Sequence, residues 1–491
     1  MSHDPIDVRG MDSGAKRELL ARLLRERAAI SAKPFRLSLG QEALWFLHQL
    51  APDSAAYNVS FCVRLGSEVD NDRLESALRK LMERHSILRS TFLSIGDEPW
   101  RQVGSVPEHC LERIDATGWS ESELLSEIRN ASGRPFDLTS GPVCRSTLFM
   151  RRDARQILLI SAHHIVIDAW SSGVIINDLG VLYDTGTADR LPPKGASYAS
   201  FVRWQRTMIE SLEGQTAWHY WRSQLDSLKA IDLPADHTSE EIGSSPGATF
   251  EFALPAALVL QIRELAQIEK TTAFVVLAAA FHSLLHRYTG APKIQFGTPF
   301  AGRSQPEFEN TVGYFVNPVV LSASVKPDTT FRRHLAIMRE VIVAALQYGD
   351  FPFPEIVKRL RPERHAGRTP LFQVMLNLNR TRQGNAEGQI LQGGSGVFRS
   401  GSLELEAFPI EQHEAQFDLD LMLLDTGPVV QASLKYRTDL FEADTVERLA
   451  QDFSALLAAA MTDPDRRISD FPLSAKARII AAETEREEFA I

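Results

Sequence analysis

Two adjacent histidines, His163 and His164, close an apolar stretch that begins Ile157-Leu158-Leu159-Ile160 and continues through Ser161 and Ala162. Such a run reads as a strand buried on both faces. Successive side chains on a strand point to opposite faces, so at most one imidazole can face a given cavity. Asp168 stands four residues beyond His164, where the chain is expected to turn. A carboxylate there either orients an imidazole or pairs with a cation and braces the turn. Trp170 is expected to pack at the same corner. A metal site needs convergent ligands, and neither a His-x-His pair nor a cysteine cluster supplies the rest. Two readings stay open on local chemistry: a structural pair with satisfied hydrogen bonds, and a general base, since imidazole titrates near neutrality.

The elements that must hold these residues are legible in outline. A chain of 491 residues exceeds one ordinary core and fits about two to three domains. Leu74, Ala77, Leu78, Leu81 and Met82 form one helical stripe over 73–84. Residues 199–225, with Trp204, Trp218 and Trp221, read as helix. Residues 231–247 break all periodicity with Pro234, Gly243 and Pro246, and are the best linker. A strand over 248–254, a helix over 256–269 and an apolar helix over 273–287 follow. Residues 384–396 form a Gly/Gln-rich loop. The alternation of strands and helices in both halves predicts an α/β protein of two related lobes. The expected divisions are a helical docking segment or linker at 1–33, a first lobe at 34–230, the linker at 231–247, a second lobe at 248–474 and a terminal linker at 475–491.

Composition excludes other classes. The net charge of −10 gives no general attraction to nucleic acid or an anionic membrane. The longest apolar run, 273–281, falls far short of the ~20 residues of a membrane span. No basic, then apolar, leader opens the chain, and Cys62, Cys110 and Cys144 lie far apart. Both features predict a reducing cytoplasm. Within 15–30, Leu19, Leu20, Leu23 and Leu24 make an apolar face beside Lys16, Arg17, Arg22, Arg25 and Arg27. That helix either packs on the body or docks an acidic upstream partner.

The segment His163-His164-x-x-x-Asp168-x-Trp170 resembles the His-His-x-x-x-Asp-Gly core of the condensation domains of nonribosomal peptide synthetases. Other segments match in the family's order. Ser38-Leu39-Gly40-Gln41-Glu42-Ala43-Leu44-Trp45 with Tyr57-Asn58 is similar to the opening motif. Arg84-His85-Ser86-Ile87-Leu88-Arg89 resembles the Arg-His-x-x-Leu-Arg element, and Arg203-Trp204-Gln205 the segment after the histidines. Val312-Gly313-Tyr314-Phe315-Val316-Asn317, Phe351-Pro352-Phe353 and Arg368-Thr369-Pro370-Leu371-Phe372-Gln373 are similar to three motifs of the second half. The resemblance covers roughly residues 35–473.

It implies the chloramphenicol acetyltransferase-like fold, two lobes in a V around a central tunnel. Upstream donor and downstream acceptor carrier proteins would send phosphopantetheine arms in from opposite mouths. The chain itself would bind no cofactor and no metal. His164 is implied as the catalytic histidine, accepting the amine's proton or holding the amine in line. His163 is expected to be structural, and Arg89 to pair with Asp168 and fix the histidine loop. Asn317 either packs or closes the tunnel roof. A backbone N–H on the Gly173 side of the loop is a candidate for the thioester oxyanion. Tyr57 and Trp204 are expected in the core, and Arg361, Arg364 and Arg368 as a solvated basic face or a carrier contact. Ala169 replaces the family's usual glycine, with a strain of about 1 kcal/mol if the position needs positive φ. Ile167 would make the pocket wall more apolar. The look is closest to condensation domains that follow polyketide synthase modules, with a basic amino-terminal helix suited to docking such a module. An epimerase, an ester-forming acyltransferase, a coenzyme A-dependent acyltransferase and a silent carrier-recruiting domain are the alternatives.

Overall fold

The apolar run before the histidines is the strand Ile157–His163, with all seven residues buried. The computed structural model describes residues 34–66, 69–151, 155–226, 228, 231–238, 246–362, 368–380, 396–410 and 413–474. The amino-terminal helix expected over 15–30, the terminal linker from 475 onward and Arg364 therefore lie outside the described residues, as does all but the last residue of the 384–396 loop.

Ile157–His163 sits inside a six-stranded sheet. Its neighbours are Asn58–Leu65 on one side and Cys144–Met150 on the other, both antiparallel. Glu112–Asp115 completes one edge, parallel to Cys144–Met150. The other edge comes from the far end of the chain. The hairpin Val397–Ser400 and Leu403–Ala407 adds to Asn58–Leu65, with Leu405 opposite Leu65. A second sheet of six strands runs in the order Asn317–Ser324, Lys293–Phe300, Val374–Arg380, Leu419–Asp425, Val430–Arg437, Gly247–Leu254. Phe35–Arg36, Glu98–Val103 and Ser90–Ile95 make a small third sheet. The protein is mixed α/β with two lobes, each on its own large sheet.

The lobes are not divided cleanly at the linker. Besides the 397–407 hairpin, the segment between Phe300 and Asn317 crosses to the first lobe, where Phe308, Val312 and Phe315 join its core beside Ile165, Val166 and Ile167. The second lobe of 248–474 thus gives two pieces of itself to the first. Nor is the start of the linker loose. Ile231 is buried, and the Asp236 carboxylate accepts from the Glu442 N–H and the Thr445 hydroxyl.

Helices follow the expected stripes, with one difference. Asn71–Arg84 is capped by Asp70 and buries the five residues of the apolar stripe. Ala273–Thr289 buries most of its length in the second core. Residues 199–225 form two helices, Tyr198–Glu210 and Leu212–Leu225, broken at Ser211. The Ser211 side chain accepts from the Gly214 N–H and so starts a new helix where the apolar period alone predicts continuity. No single helix among the described residues is long and apolar enough to cross a membrane.

Candidate active site

His163 and His164 part company where the strand ends. His163 is the last strand residue, and His164 opens a short 3-10 turn, His164–Val166. The His163 ring points inward among His48, Tyr57 and Phe136, and its Nδ1 accepts the Ile165 N–H at 3.1 Å. Burial, with the neighbouring His164 and His48, pushes its pKa down to about 3, so it stays neutral. His164 is only partly buried. Its Nδ1 lies 2.6 Å from the Ile167 carbonyl oxygen. A carbonyl can only accept, so Nδ1 carries the hydrogen and Nε2 holds a lone pair. Burial lowers the His164 pKa, opposed by the Ile167 carbonyl and the Asp168 charge, and favours this neutral form. The Tyr314 ring stands nearly perpendicular to the imidazole, at 80°, with centroids 4.9 Å apart.

The turn is held from three sides. Gln41, inside the capping box that Ser38 makes at the start of helix Leu39–Leu50, donates through Nε2 to the Ile165 carbonyl at 2.8 Å. Asp168 caps helix Ala169–Thr185, accepting the Ser171 N–H at 2.8 Å. The crossing segment supplies the third side. Arg303 donates to both Asp168 oxygens, at 2.7 and 3.1 Å, and to the Ser171 hydroxyl at 2.7 Å. The Phe315 N–H also donates to Asp168, at 3.0 Å. Burial raises the Asp168 pKa, but Arg303 and these donors outweigh it, and the carboxyl is held below its ordinary range. Arg303 lies against the Phe315 ring at 4.0 Å, and Gly302, at φ +65°, lets the backbone pass the Phe315 carbonyl.

This geometry corrects the partner expected for Asp168. Arg89 donates to the Met82 and Gly104 carbonyls, within its own part of the first lobe. Arg84 and His85 of the same motif do brace the active-site helix, but further along, where both meet Asp178 at 2.8 Å. The cation on Asp168 is Arg303, from the other half of the chain. Sequence reasoning missed it because one arginine in Ala301-Gly302-Arg303-Ser304 carries no period or spacing; its nearness to the 312–317 motif was the available signal.

Other expectations also move. Trp170 is 46% exposed rather than packed in a corner, although its Nε1–H donates to the Glu309 carbonyl and so also ties the crossing segment. Ile167 does not line a wall, because its side chain is 1% exposed in the first core; its carbonyl does the positioning. Ala169 is the exposed first residue of its helix and has no positive φ, so replacing glycine brings no strain. Gly173 lies in that helix, not in a loop, past the first turn whose N–H groups the ladder leaves over. The first-turn N–H groups that neither the ladder nor the Asp168 cap takes belong to Ala169 and Trp170. Asn317 packs: its Nδ2 donates to the Gly349 and Phe351 carbonyls and its Oδ1 accepts from the Phe353 N–H. It fixes the Phe351-Pro352-Phe353 motif within the second lobe. Arg368 is ion-paired to Asp232 and Asp418, not free on a basic face. Tyr57 and Trp204 pack against the first core. Among the described residues no group of three or more His, Cys, Asp or Glu is placed to hold a metal ion.

Comparison with known proteins agrees with this architecture. The condensation-domain family matches residues 32–478. A component of the linear gramicidin synthase of Brevibacillus parabrevis is 33% identical over 92% of the chain, which spans only 6% of that relative. The phosphinothricin tripeptide synthetase PhsC of Streptomyces viridochromogenes is 33% identical over 90% of the chain, which spans 40% of it. Among solved structures, the X-domain from teicoplanin biosynthesis superposes with a TM-score of 0.80 at 24% identity, covering 90% of this chain and 98% of that one. The condensation domain from the monacolin K polyketide synthase MokA gives 0.76 at 21% identity, over 89% and 99%. The fold is thus that of condensation domains, the chloramphenicol acetyltransferase-like fold. With its histidine motif on the expected turn, the chain belongs to the condensation-domain family of nonribosomal peptide synthetases, whose reaction is acyl transfer with amide bond formation.

Proposed function

We propose that this chain transfers an acyl group from the thioester of one carrier-bound phosphopantetheine arm to the amine of an aminoacyl group on another. The attacking nitrogen forms a bond to the thioester carbon, the carbon–sulfur bond breaks, and the donor arm leaves as a thiol. One proton must leave the nitrogen and one must reach the sulfur. His164 can carry it, since its Nδ1 is committed to the Ile167 carbonyl and its Nε2 is a lone pair. That tautomer is the single observation on which the assignment rests. A thioester is already activated, so holding two tethered reactants in line supplies much of the rate. The arms come with their carriers, an upstream donor and a downstream acceptor.

The likeness to a condensation domain of a polyketide synthase supports a polyketide or fatty acyl donor beside a peptidyl one. In that setting, the basic segment before residue 34 would dock the upstream module. The test supplies donor-loaded and acceptor-loaded carriers and follows intact masses. Gain of the acyl mass by the acceptor carrier is the expected result. Stereochemical exchange without transfer would make the chain an epimerase, and binding without either would make it a recruiting domain.

A further inference from the structure

The Tyr314 ring packs against the His164 imidazole, centroids 4.9 Å apart, and the reaction above does not use it. It comes from the crossing segment, so the second half of the chain puts it against His164. Everything around it fixes its place. Its carbonyl accepts the Tyr198 hydroxyl at 2.5 Å, and Tyr198 is in turn 2.9 Å from the Ser38 hydroxyl. The residues on either side are tied to the active-site helix, Gly313 N–H to the Ser171 hydroxyl at 3.0 Å and Phe315 N–H to Asp168. Gly40 of the opening motif leaves the ring its room, since a Cβ there would lie 2.7 Å from Tyr314 Cε1. The His164 ring is anchored through Nδ1 to the Ile167 carbonyl, and a bond at that one nitrogen does not stop an imidazole from swinging.

We infer that Tyr314 is a positioning residue, whose ring, packed nearly perpendicular to the His164 imidazole, holds it with Nε2 toward the reacting amine, so that docking of the crossing segment sets the base. The inference rests on the transfer reaction proposed above. The aromatic ring does the work rather than the hydroxyl. The charged and titratable groups that face His164 are Asp168, with Arg303 behind it, His163 from the strand, and Tyr314 itself, with Tyr57 beside it.

The experiment measures single-turnover transfer between loaded carriers by intact mass, beside an NMR titration of the His164 imidazole, in the same folded variants. Tyr314→Phe is expected to keep the rate within about twofold. Tyr314→Leu is expected to slow it roughly ten- to a hundredfold, the range for loss of an aromatic contact and of alignment, at unchanged half-saturating carrier concentration. Its His164 should titrate nearer the ordinary 6.5 as water reaches the ring. Gly40→Ala crowds the same ring at Cε1, should act in the same direction, and carries the test if Tyr314→Leu does not fold. A wild-type rate and titration in Tyr314→Leu, with His164→Ala inactive, would overturn the inference and leave the transfer reaction standing. Absence of transfer by the wild-type protein would sink the reaction instead, and the titration would still decide whether Tyr314 holds the imidazole.

Discussion

Arg303 grips Asp168 with both terminal nitrogens, across a separation of 135 residues, in a pair whose side chains are 2% and 3% exposed. The carboxylate has no room for a direct part in the reaction, because its two oxygens are taken by Arg303, the Ser171 N–H and the Phe315 N–H. Its work is to hold the start of the active-site helix against the crossing segment.

Removing one partner of a buried pair leaves the other charge without compensation. Arg303→Ala is expected to destabilise the protein by about 3–5 kcal/mol in denaturant unfolding, with Asp168→Ala lowering soluble yield. A double-mutant cycle between Arg303 and Asp168 should show strong coupling, and one between Arg89 and Asp168 near additivity. Coupling of Asp168 to Arg89 instead would contradict the Arg303 pairing.

The crossing segment passes the first lobe with almost no clearance. A Cβ on Gly313 would fall 2.1 Å from Tyr198 Cδ2, so Gly313→Ala is expected to cost about 1–3 kcal/mol through overpacking. Gly118, whose added Cβ would meet nothing within 4 Å, is the control, with an effect within about 0.5 kcal/mol. Equal effects in thermal or urea unfolding would show that the segment is not tightly docked.

How far the site could be read from the chain follows from these contacts. The strand and both histidines were legible because a buried strand is a local apolar run. Alternation along that strand also separated the two imidazoles, although His164 in fact begins the turn after it. The Asp168–Arg303 pair and the Tyr314–His164 ring contact depend on where residues 301–316 cross, and no local period records that. The same holds for the 397–407 hairpin, whose pairing with Asn58–Leu65 is set by tertiary register. The helix break at Ser211 was local and readable, but hydroxyl capping competes with an apolar stripe that runs through it.

The second lobe carries an acid liability in its core. His282 and His334 lie with ring centroids 4.7 Å apart, and His334 finds no hydrogen-bond partner for either nitrogen. Burial pushes His282 down to about 3 and His334 well below its ordinary value. Above about pH 6.5 both are neutral folded or unfolded; below it the unfolded chain takes up protons first. Stability should therefore fall with pH below 6.5, by up to about 1.4 kcal/mol per unit for each histidine. His334→Phe should flatten the slope of unfolding free energy against pH between 6.5 and 4. An unchanged slope would mean that His334 is not held neutral.

The rate should break twice as pH falls. An α-amine titrates near 7.7–8.0, and its protonation removes the nucleophile first. His164, lowered by burial, loses its lone pair only at a pH below the ordinary 6.5. Single-turnover transfer should steepen there if the imidazole accepts the proton. A profile with the amine's break alone would assign His164 to alignment rather than proton transfer.

The most direct measurement compares the wild-type protein with His164→Ala in one turnover between a donor-loaded and an acceptor-loaded carrier, read by intact mass. The His164→Ala protein should fold, since its imidazole bonds only to the neighbouring Ile167 carbonyl. The wild-type protein is predicted to move the acyl group onto the acceptor carrier, and the variant to leave both carriers at their starting masses. Transfer at the wild-type rate by His164→Ala would show that this histidine is not the reaction centre.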